Sequence, residues 1–443
     1  MKKYRKFIQW IGLYIILLGS LWLFLIATAM IPNRYIKENM KKSAAVIGEA
    51  NAFAYCDGNK MNGIADNYAD SIWLNVAWFM GKGNPFVSSI DTRYYDGENQ
   101  GQNIGLYLAV TEEVTEADTD YSRYWHGTAG IIRIFHLFMD LNGIRYIGFM
   151  IVLCLAAIIM ILLIKNGKDW IAVSFFLSIC AIKIWNIRLS MEYQPAFMIG
   201  FLMCILYLLF EKKGNDILLL LAIIGGTLIA FFDFLTTETV TILLPLILVI
   251  SVRTLDKRIK GWKENLIFVI MQGIVWLMSY GITIVMKWSL ASVVTGENKF
   301  TLAFNMAKER VNGTIPVSGN TDLFSRIWIA PAANLTVFFG GTKRIEYLPL
   351  FIGIACLVFF LSISMVCIWK AKEEKKAAMG VLLLLGILIL FRYMVLNNHS
   401  YLHAFFTYRG LISLNMAMFA VIVIHFNEWK TKRLVHLEKE RNL

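Results

Sequence analysis

The 443-residue chain is 58% hydrophobic and only 17% charged, with a mean hydropathy of +0.59, a balance that excludes an ordinary soluble domain. Its formal net charge of +12 does not indicate nucleic acid, because no basic patch with interleaved aromatics accompanies it. The surplus Lys and Arg lie instead in short segments between apolar runs, as membrane topology requires.

Those runs are about 20 residues long, the length a helix needs to cross a hydrocarbon core about 30 Å thick. The expected fold is therefore all-α: one polytopic integral membrane domain over residues 1–443, with about ten transmembrane helices and a range of roughly nine to twelve. The first run, Phe7–Met30, follows the basic MKKYRK. It is too long for a signal-peptide core, and PNRYIK stands where the small residues of a cleavage site belong, so it reads as an uncleaved helix.

Ile31–Gly143 comes next and is polar. A connection of about 110 residues far exceeds ordinary loops and is functional or disordered. Disorder does not fit, because ADSIWLNVAWFM and SRYWHGTAGIIRIFHLFMDLNGI carry apolar residues at helical spacing and suit amphipathic helices along the membrane surface, Ser71–Met80 and Thr128–Met139. Between them, Gly81–Thr119 is rich in Gly, Asn and Asp and reads as loop with room for a short hairpin.

The remaining runs are Ile144–Ile164, Trp170–Ile187, Pro195–Phe210, Ile217–Phe234, Thr239–Val252, Leu266–Trp288, Leu348–Trp369, Ala377–Leu396 and Thr407–Phe426. With alternating spans, six basic segments fall on one side, expected to be the cytoplasm, and put both termini there. They include MKKYRK, RTLDKRIKGWK, KAKEEKK and the tail Asn427–Leu443. The other side of the cell membrane receives Ile31–Gly143, the tip near Asp233, the second loop Ala291–Tyr347 and the loop Asn397–Phe406. The second loop contains a short helix at NKFTLAFNMAKERV, a turn-rich GTIPVSGNTD and an interfacial FSRIWIAPAANLTVFFGG. Its glycosylation sequons at Asn312 and Asn334 are expected to be chance occurrences. Only Cys56 of the six cysteines lies outside the spans, and neither a disulfide framework nor a Cys/His ligand spacing is present.

Chemistry-bearing residues concentrate on the outer side. Asp66 and Asp70 in GIADNYADSIW are four apart, so one helix face carries both. Carboxylates this close raise each other's pKa and suit a base or a divalent metal site, although Asp66 also fits a plain helix cap. No cofactor is fixed by the sequence. In Tyr121–Gly127, the rings of Tyr124 and Trp125 suit sugar stacking, Arg123 a phosphate and His126 a proton, against the simpler reading of an aromatic belt. Asp233 and Glu238 in FFDFLTTET need a cavity or a partner, or else form a Thr-capped tip. Lys183, Arg188 and Glu192 are expected to form a structural ion pair. The loop NNHSYLHAFFTYRG brings His399, His403 and Arg409, with Arg392 just before it. The Glu of HExxH is missing, which argues against a zinc protease and leaves phosphate binding or interface anchoring. Walker A, dinucleotide and GxSxG signatures are absent from the sequence.

The layout resembles the C-type glycosyltransferase superfamily: a first span, then a large outer loop with acidic residues, here Asp66 and Asp70, and amphipathic helices before the second span. The paired acids are separated here as DNYAD, so the resemblance does not say which one matches the family's carboxylate. It implies an outward-facing site, a polyprenyl-phosphate-linked sugar donor and a glycan, lipid or protein acceptor. The expected activity is sugar transfer in cell-envelope assembly, with Asp70 or Asp66 as base and Arg123, Tyr124, Trp125, His126, Asp233, His399, His403 and Arg409 on the substrates. A lipid-linked glycan polymerase or ligase, or a flippase for such a lipid, are the alternatives.

Overall fold

The computed structural model describes residues 2–97, 101–112, 114–258, 261–312 and 323–441. The fold is almost entirely helical, and among the described residues eight helices are long and apolar enough to cross a membrane. The turn-rich stretch 313–322, with the end of the Asn312 sequon, lies outside those residues, as do the last two positions of the basic tail.

The first membrane-length helix, α1 (Lys2–Ala29), leads into a subdomain of α2 (Asn33–Glu49), α3 (Asn67–Met80), α4 (Pro85–Ser88), α5 (Gln102–Thr111) and α6 (Gly127–Phe135). Two small antiparallel pairings brace it: β1 (Phe53–Tyr55) with β2 (Ile64–Asp66), and β3 (Arg93–Tyr94) with β4 (Thr119–Asp120). The surface helix expected at Ser71–Met80 is instead the core of this subdomain, since every residue from Ala69 to Met80 is buried. The segment read as loop after Gly81 contains α5, which packs Leu106, Ala109 and Val110 inward. Arg133 ties the subdomain to α1. Its guanidinium donates to the carbonyls of Thr28 (2.9 Å) and Ala77 (2.5 Å) and to Asn33 Oδ1 (2.9 Å), so one buried cation satisfies the orphan carbonyls of two helix ends.

The rest of the chain is a helical bundle: α7 (Leu141–Lys165), α8 (Asp169–Ala181), α9 (Pro195–Phe210), α10 (Asn215–Phe232), α11 (Val240–Leu255) and α12 (Trp262–Thr295), then α13 (Lys299–Asn312) and α14 (Leu323–Phe338), then α15 (Tyr347–Lys370), α16 (Glu373–Val395), α17 (Asn397–Leu402), α18 (Ala404–Thr407) and α19 (Ile412–Arg441). The sequence run Trp170–Ile187 is not one helix. The α-helix stops at Ala181, Lys183 turns left-handed at φ 52°, and a 3₁₀ turn, Ile184–Leu189, completes the distance. With α11 it is shorter than the eight membrane-length helices.

Ion pairs at the two ends of the bundle tie distant loops together. At one end Lys168 meets Asp256, and Arg258 meets Glu211 at 2.7 Å. At the other, buried Arg392 meets Glu238 at 2.9 Å and donates to the Leu235 carbonyl at 3.0 Å. The connection between β1 and β2 is stitched to the end of α14, where Met61 N–H donates to the Gly341 carbonyl (3.0 Å) and Asn62 to Val337 (2.9 Å). Asn334 of the second sequon is fully buried, donates to Ser400 and accepts from Thr407. Its amide is part of the packing, in line with a chance match.

Candidate functional site

Helix α3 starts where β2 ends, so the strand delivers Asp66 to the helix N-terminus. Asp66 Oδ1 accepts the Ala69 N–H at 2.9 Å, the cap foreseen in the sequence. The same carboxyl faces the Glu192 carboxyl, and two carboxyls so placed disfavour joint ionisation. Burial pushes the Asp66 pKa up to about 7, against the lowering effect of Glu192 and of the Ala69 N–H.

Asp70 sits one turn on and is saturated. It accepts Ser190 Oγ (2.7 Å) and Met191 N–H (2.9 Å), while Arg145 grips its other oxygen from Nε at 2.7 Å and Nη2 at 2.6 Å. Fully buried, it holds the turn Met191–Tyr193 against α3 and thereby brings Glu192 to Asp66. The ion pair expected within Lys183, Arg188 and Glu192 is not formed. Lys183 pairs with Asp57 at 2.8 Å, and Glu192 faces Asp66.

The turn after α10 is the hub of this region. Asp233 accepts Thr236 N–H (2.8 Å) and Oγ1 (2.6 Å), which closes the turn, and burial raises its pKa to about 7. Leu235 takes φ 69°, a strained value for a branched residue that turns its carbonyl to both Arg392 and His399. Phe234 packs edge-on against Trp73 of α3 at 4.5 Å between ring centroids and touches Tyr121, Tyr124 and His126 at 5.8, 5.0 and 4.9 Å. Through this turn the carboxylate helix, the Tyr121–Gly127 run and the histidine loop meet.

Arg123 lies over the Tyr121 ring at 3.9 Å and beside Tyr124 at 5.4 Å, with its Nε buried and unpartnered. Trp125 does not present a sugar-binding face. It is 1% exposed, tilted against Phe231, and its indole N–H donates to the Thr283 carbonyl at 2.7 Å. Its apolar neighbours, rather than the outer solvent, account for its place. His126 is also enclosed. It occupies a left-handed position ahead of α6, bonds through Nε2 to the Tyr121 carbonyl at 2.8 Å, and burial keeps it neutral.

His399 and His403 lie tilted at 4.7 Å between ring centroids and share one donor that the sequence did not single out. Arg310 of α13 reaches His399 Nδ1 at 2.6 Å and His403 Nε2 at 3.2 Å. Both rings must be neutral to accept from it. Burial first, and nearby arginines after it, hold the pKa of His403 down to about 3 and that of His399 well below its ordinary value. Arg409 is 1% exposed, covers the Tyr193 ring at 4.3 Å, and leaves Nε and Nη2 without partners. Among the described residues Arg123, Arg310 and Arg409 make no ion pair with a carboxylate, and no group of three His, Cys, Asp or Glu is arranged to hold a metal ion.

Two cavities flank these residues. An apolar groove of about 330 Å³ runs between α6, α7, α9 and α10, with Met191, Gly148, Ile151 and Ile199 among its walls. A wider one of about 990 Å³ lies between β1, α14 and the Thr342–Ile345 loop. No family model matches the chain, and neither does a curated protein or a solved structure.

Sequence reasoning missed Arg145 and Arg310 and gave Glu192 the wrong partner. Arg145 and Glu192 lie within or beside apolar runs, and a carboxylate partner some 75 residues away leaves no local signal. Arg310 was visible only as one charge in a polar helix.

Proposed function

We propose that the chain is an outward-facing membrane glycosyltransferase that moves a sugar from a polyprenyl-phosphate-linked donor to a cell-envelope acceptor, as its resemblance to the C-type glycosyltransferases implies. One observation carries the reading: a buried carboxyl with a pKa near neutrality, Asp66, stands in the same outer region as three guanidiniums that lack carboxylate partners. A buried cation without a counter-charge, as Arg409 is, is costly unless an anion arrives, half-buried Arg123 and Arg310 add positive charge beside it, and a base titrating near 7 is ready to take a hydroxyl proton.

In this mechanism Asp66 accepts the proton of the acceptor hydroxyl. The acceptor oxygen bonds to the anomeric carbon as the bond from that carbon to the phosphate oxygen breaks. The polyprenyl phosphate departs as an anion held by Arg310, Arg123 and Arg409. Neutral His399 and His403 orient Arg310 without cancelling its charge. Asp70 is a positioning residue that sets Glu192 against Asp66. The apolar groove beside Met191 suits the prenyl chain.

The reading takes ten crossings, with α8 and α11 as the two short ones. Asp70 accepts the Met191 N–H, which fits a crossing between Lys165 and Met191. The pairings Lys168–Asp256 and Arg258–Glu211 likewise gather one set of loops on the side assigned to the cytoplasm, together with both termini. The test is transfer of a radiolabelled sugar from a synthetic polyprenyl-phosphate donor in proteoliposomes. Wild type is expected to transfer and Asp66→Asn is not; equal activity in both removes the reading.

A further inference from the structure

The wide groove on the outer face is unlike the apolar one. Its walls carry aromatic rings from separate elements, Phe53 and Tyr55 of β1, Trp328 of α14 and Tyr401 of α17. Its cations are Lys343 and Arg344, and the neutral ring of His403 also lines it. At about 990 Å³ it stands at the top of the range for single small-molecule sites, about 300–1,000 Å³, and exceeds what one lipid headgroup fills.

Two further observations define what fits. The acid nearest the cations is already engaged: Glu346 accepts the Thr342 N–H at 2.7 Å and its hydroxyl at 3.1 Å. Arg344 spends Nε and Nη2 on the Leu402 carbonyl, at 3.2 and 3.0 Å, which fixes its plane beside the Tyr401 ring and leaves Nη1 without a protein acceptor among the described residues. The β1–β2 hairpin also ties the groove to the base. In the β1–β2 register Tyr55 faces Ile64 and Phe53 faces Asp66, and directly opposed residues in an antiparallel pair project to the same side. Phe53, Tyr55 and Ile64 line the groove, so Asp66 lies on the same side of the hairpin, two residues beyond Ile64.

We infer that this groove is the acceptor site and that the acceptor is an acidic oligosaccharide, whose sugar rings lie on the aromatic faces and whose phosphate or carboxylate groups meet Arg344 and Lys343. The inference rests on the transferase reading for the word acceptor, but binding is measured without turnover. Full-length protein in phosphatidylcholine nanodiscs is titrated with tetragalacturonate, with a phosphodiester-linked glycerol tetramer and with neutral maltotetraose. At least one acidic oligomer is expected to bind about tenfold more tightly than maltotetraose, the difference one charge-assisted hydrogen bond makes. Arg344→Gln and the exposed Lys343→Gln remove that preference, and Tyr55→Ala weakens binding of all three. Asp66→Asn leaves binding intact while transfer is lost. Phosphatidylglycerol nanodiscs give the same affinities. The proposal is overturned if neither acidic oligomer beats maltotetraose, if the variants leave the preference unchanged, or if phosphatidylglycerol abolishes binding and so identifies a lipid headgroup as the occupant. Binding without any wild-type transfer would remove the transferase reading alone.

Discussion

Asp66 and Asp70 stand one turn apart on the same helix and are held in opposite ways: Asp66 accepts the Ala69 N–H at 2.9 Å and faces the Glu192 carboxyl, whereas Asp70 is locked by Arg145 at 2.6 Å and by the Met191 N–H at 2.9 Å. With both oxygens engaged by protein donors, Asp70 has no open position for a substrate hydroxyl. The division separates a chemical role from a structural one on two residues that look equivalent in sequence.

Substituting each by Asn separates the roles experimentally. Asn caps a helix about as well as Asp, so Asp66→Asn should fold with near-normal thermal stability while transfer falls about 10²–10⁴-fold, the usual contribution of a general base. Asp70→Asn leaves Arg145 buried without its counter-charge and should lose about 3–5 kcal/mol, read as a large drop in melting temperature in detergent. If Asp70→Asn is stable and inactive while Asp66→Asn keeps its activity, the roles are reversed.

The rate should follow the ionisation of Asp66. Burial favours its protonated form and raises its pKa to about 7. Only the ionised form accepts a proton, so kcat/KM should climb with pH and level off above about 7. His399 and His403 stay neutral throughout this window, because burial and the arginines hold their pKa values far below it. They therefore add no falling limb. A profile that declines between about pH 6 and 8 would contradict Asp66 as the base.

Arg310 offers a sharper test of the cation cluster. Its Nη1 alone donates to both imidazole nitrogens, and a lysine ammonium that makes those two bonds has no planar fork left for a phosphate. Arg310→Gln and Arg310→Lys should both raise the KM for the phosphate-linked donor about 10–100-fold, one to two charge-assisted hydrogen bonds, with a smaller effect on kcat. Full rescue by lysine would reduce Arg310 to a diffuse positive charge.

Periodicity and hydropathy made the membrane architecture legible, because a long apolar run has few alternatives. They failed where local signals conflict. The Lys and Asn residues of α2 obscure a helical stripe of Ile36, Met40, Ala44 and Ile47, and α3 reads as amphipathic although α2, α5 and α6 bury every side of it. The residue types of the outer face were also legible, down to the Asp66 cap, but their pairings were not. Glu192 meets Asp66, Arg145 meets Asp70 and Arg310 meets the two histidines only after the bundle has closed. Trp125 shows the converse error: a ring suited to sugar stacking is consumed by the core.

The apolar groove gives the last prediction. Its wall at Ile151 is 41% exposed, so a larger side chain there does not disturb the packed interior. Trp in place of Ile151 would fill part of the roughly 330 Å³ groove and exclude the methylenes that a long prenyl chain buries in it. Each excluded methylene withdraws about 0.8 kcal/mol at most, and the surrounding lipid recovers much of that. A rise of about tenfold in KM for a long-chain donor is therefore the expected scale. A short-chain donor that does not reach Ile151 should be handled as by wild type, with its kcat unchanged. Measuring both donors on one preparation separates loss of chain binding from general damage. An equal penalty on both would show that the groove does not hold the lipid.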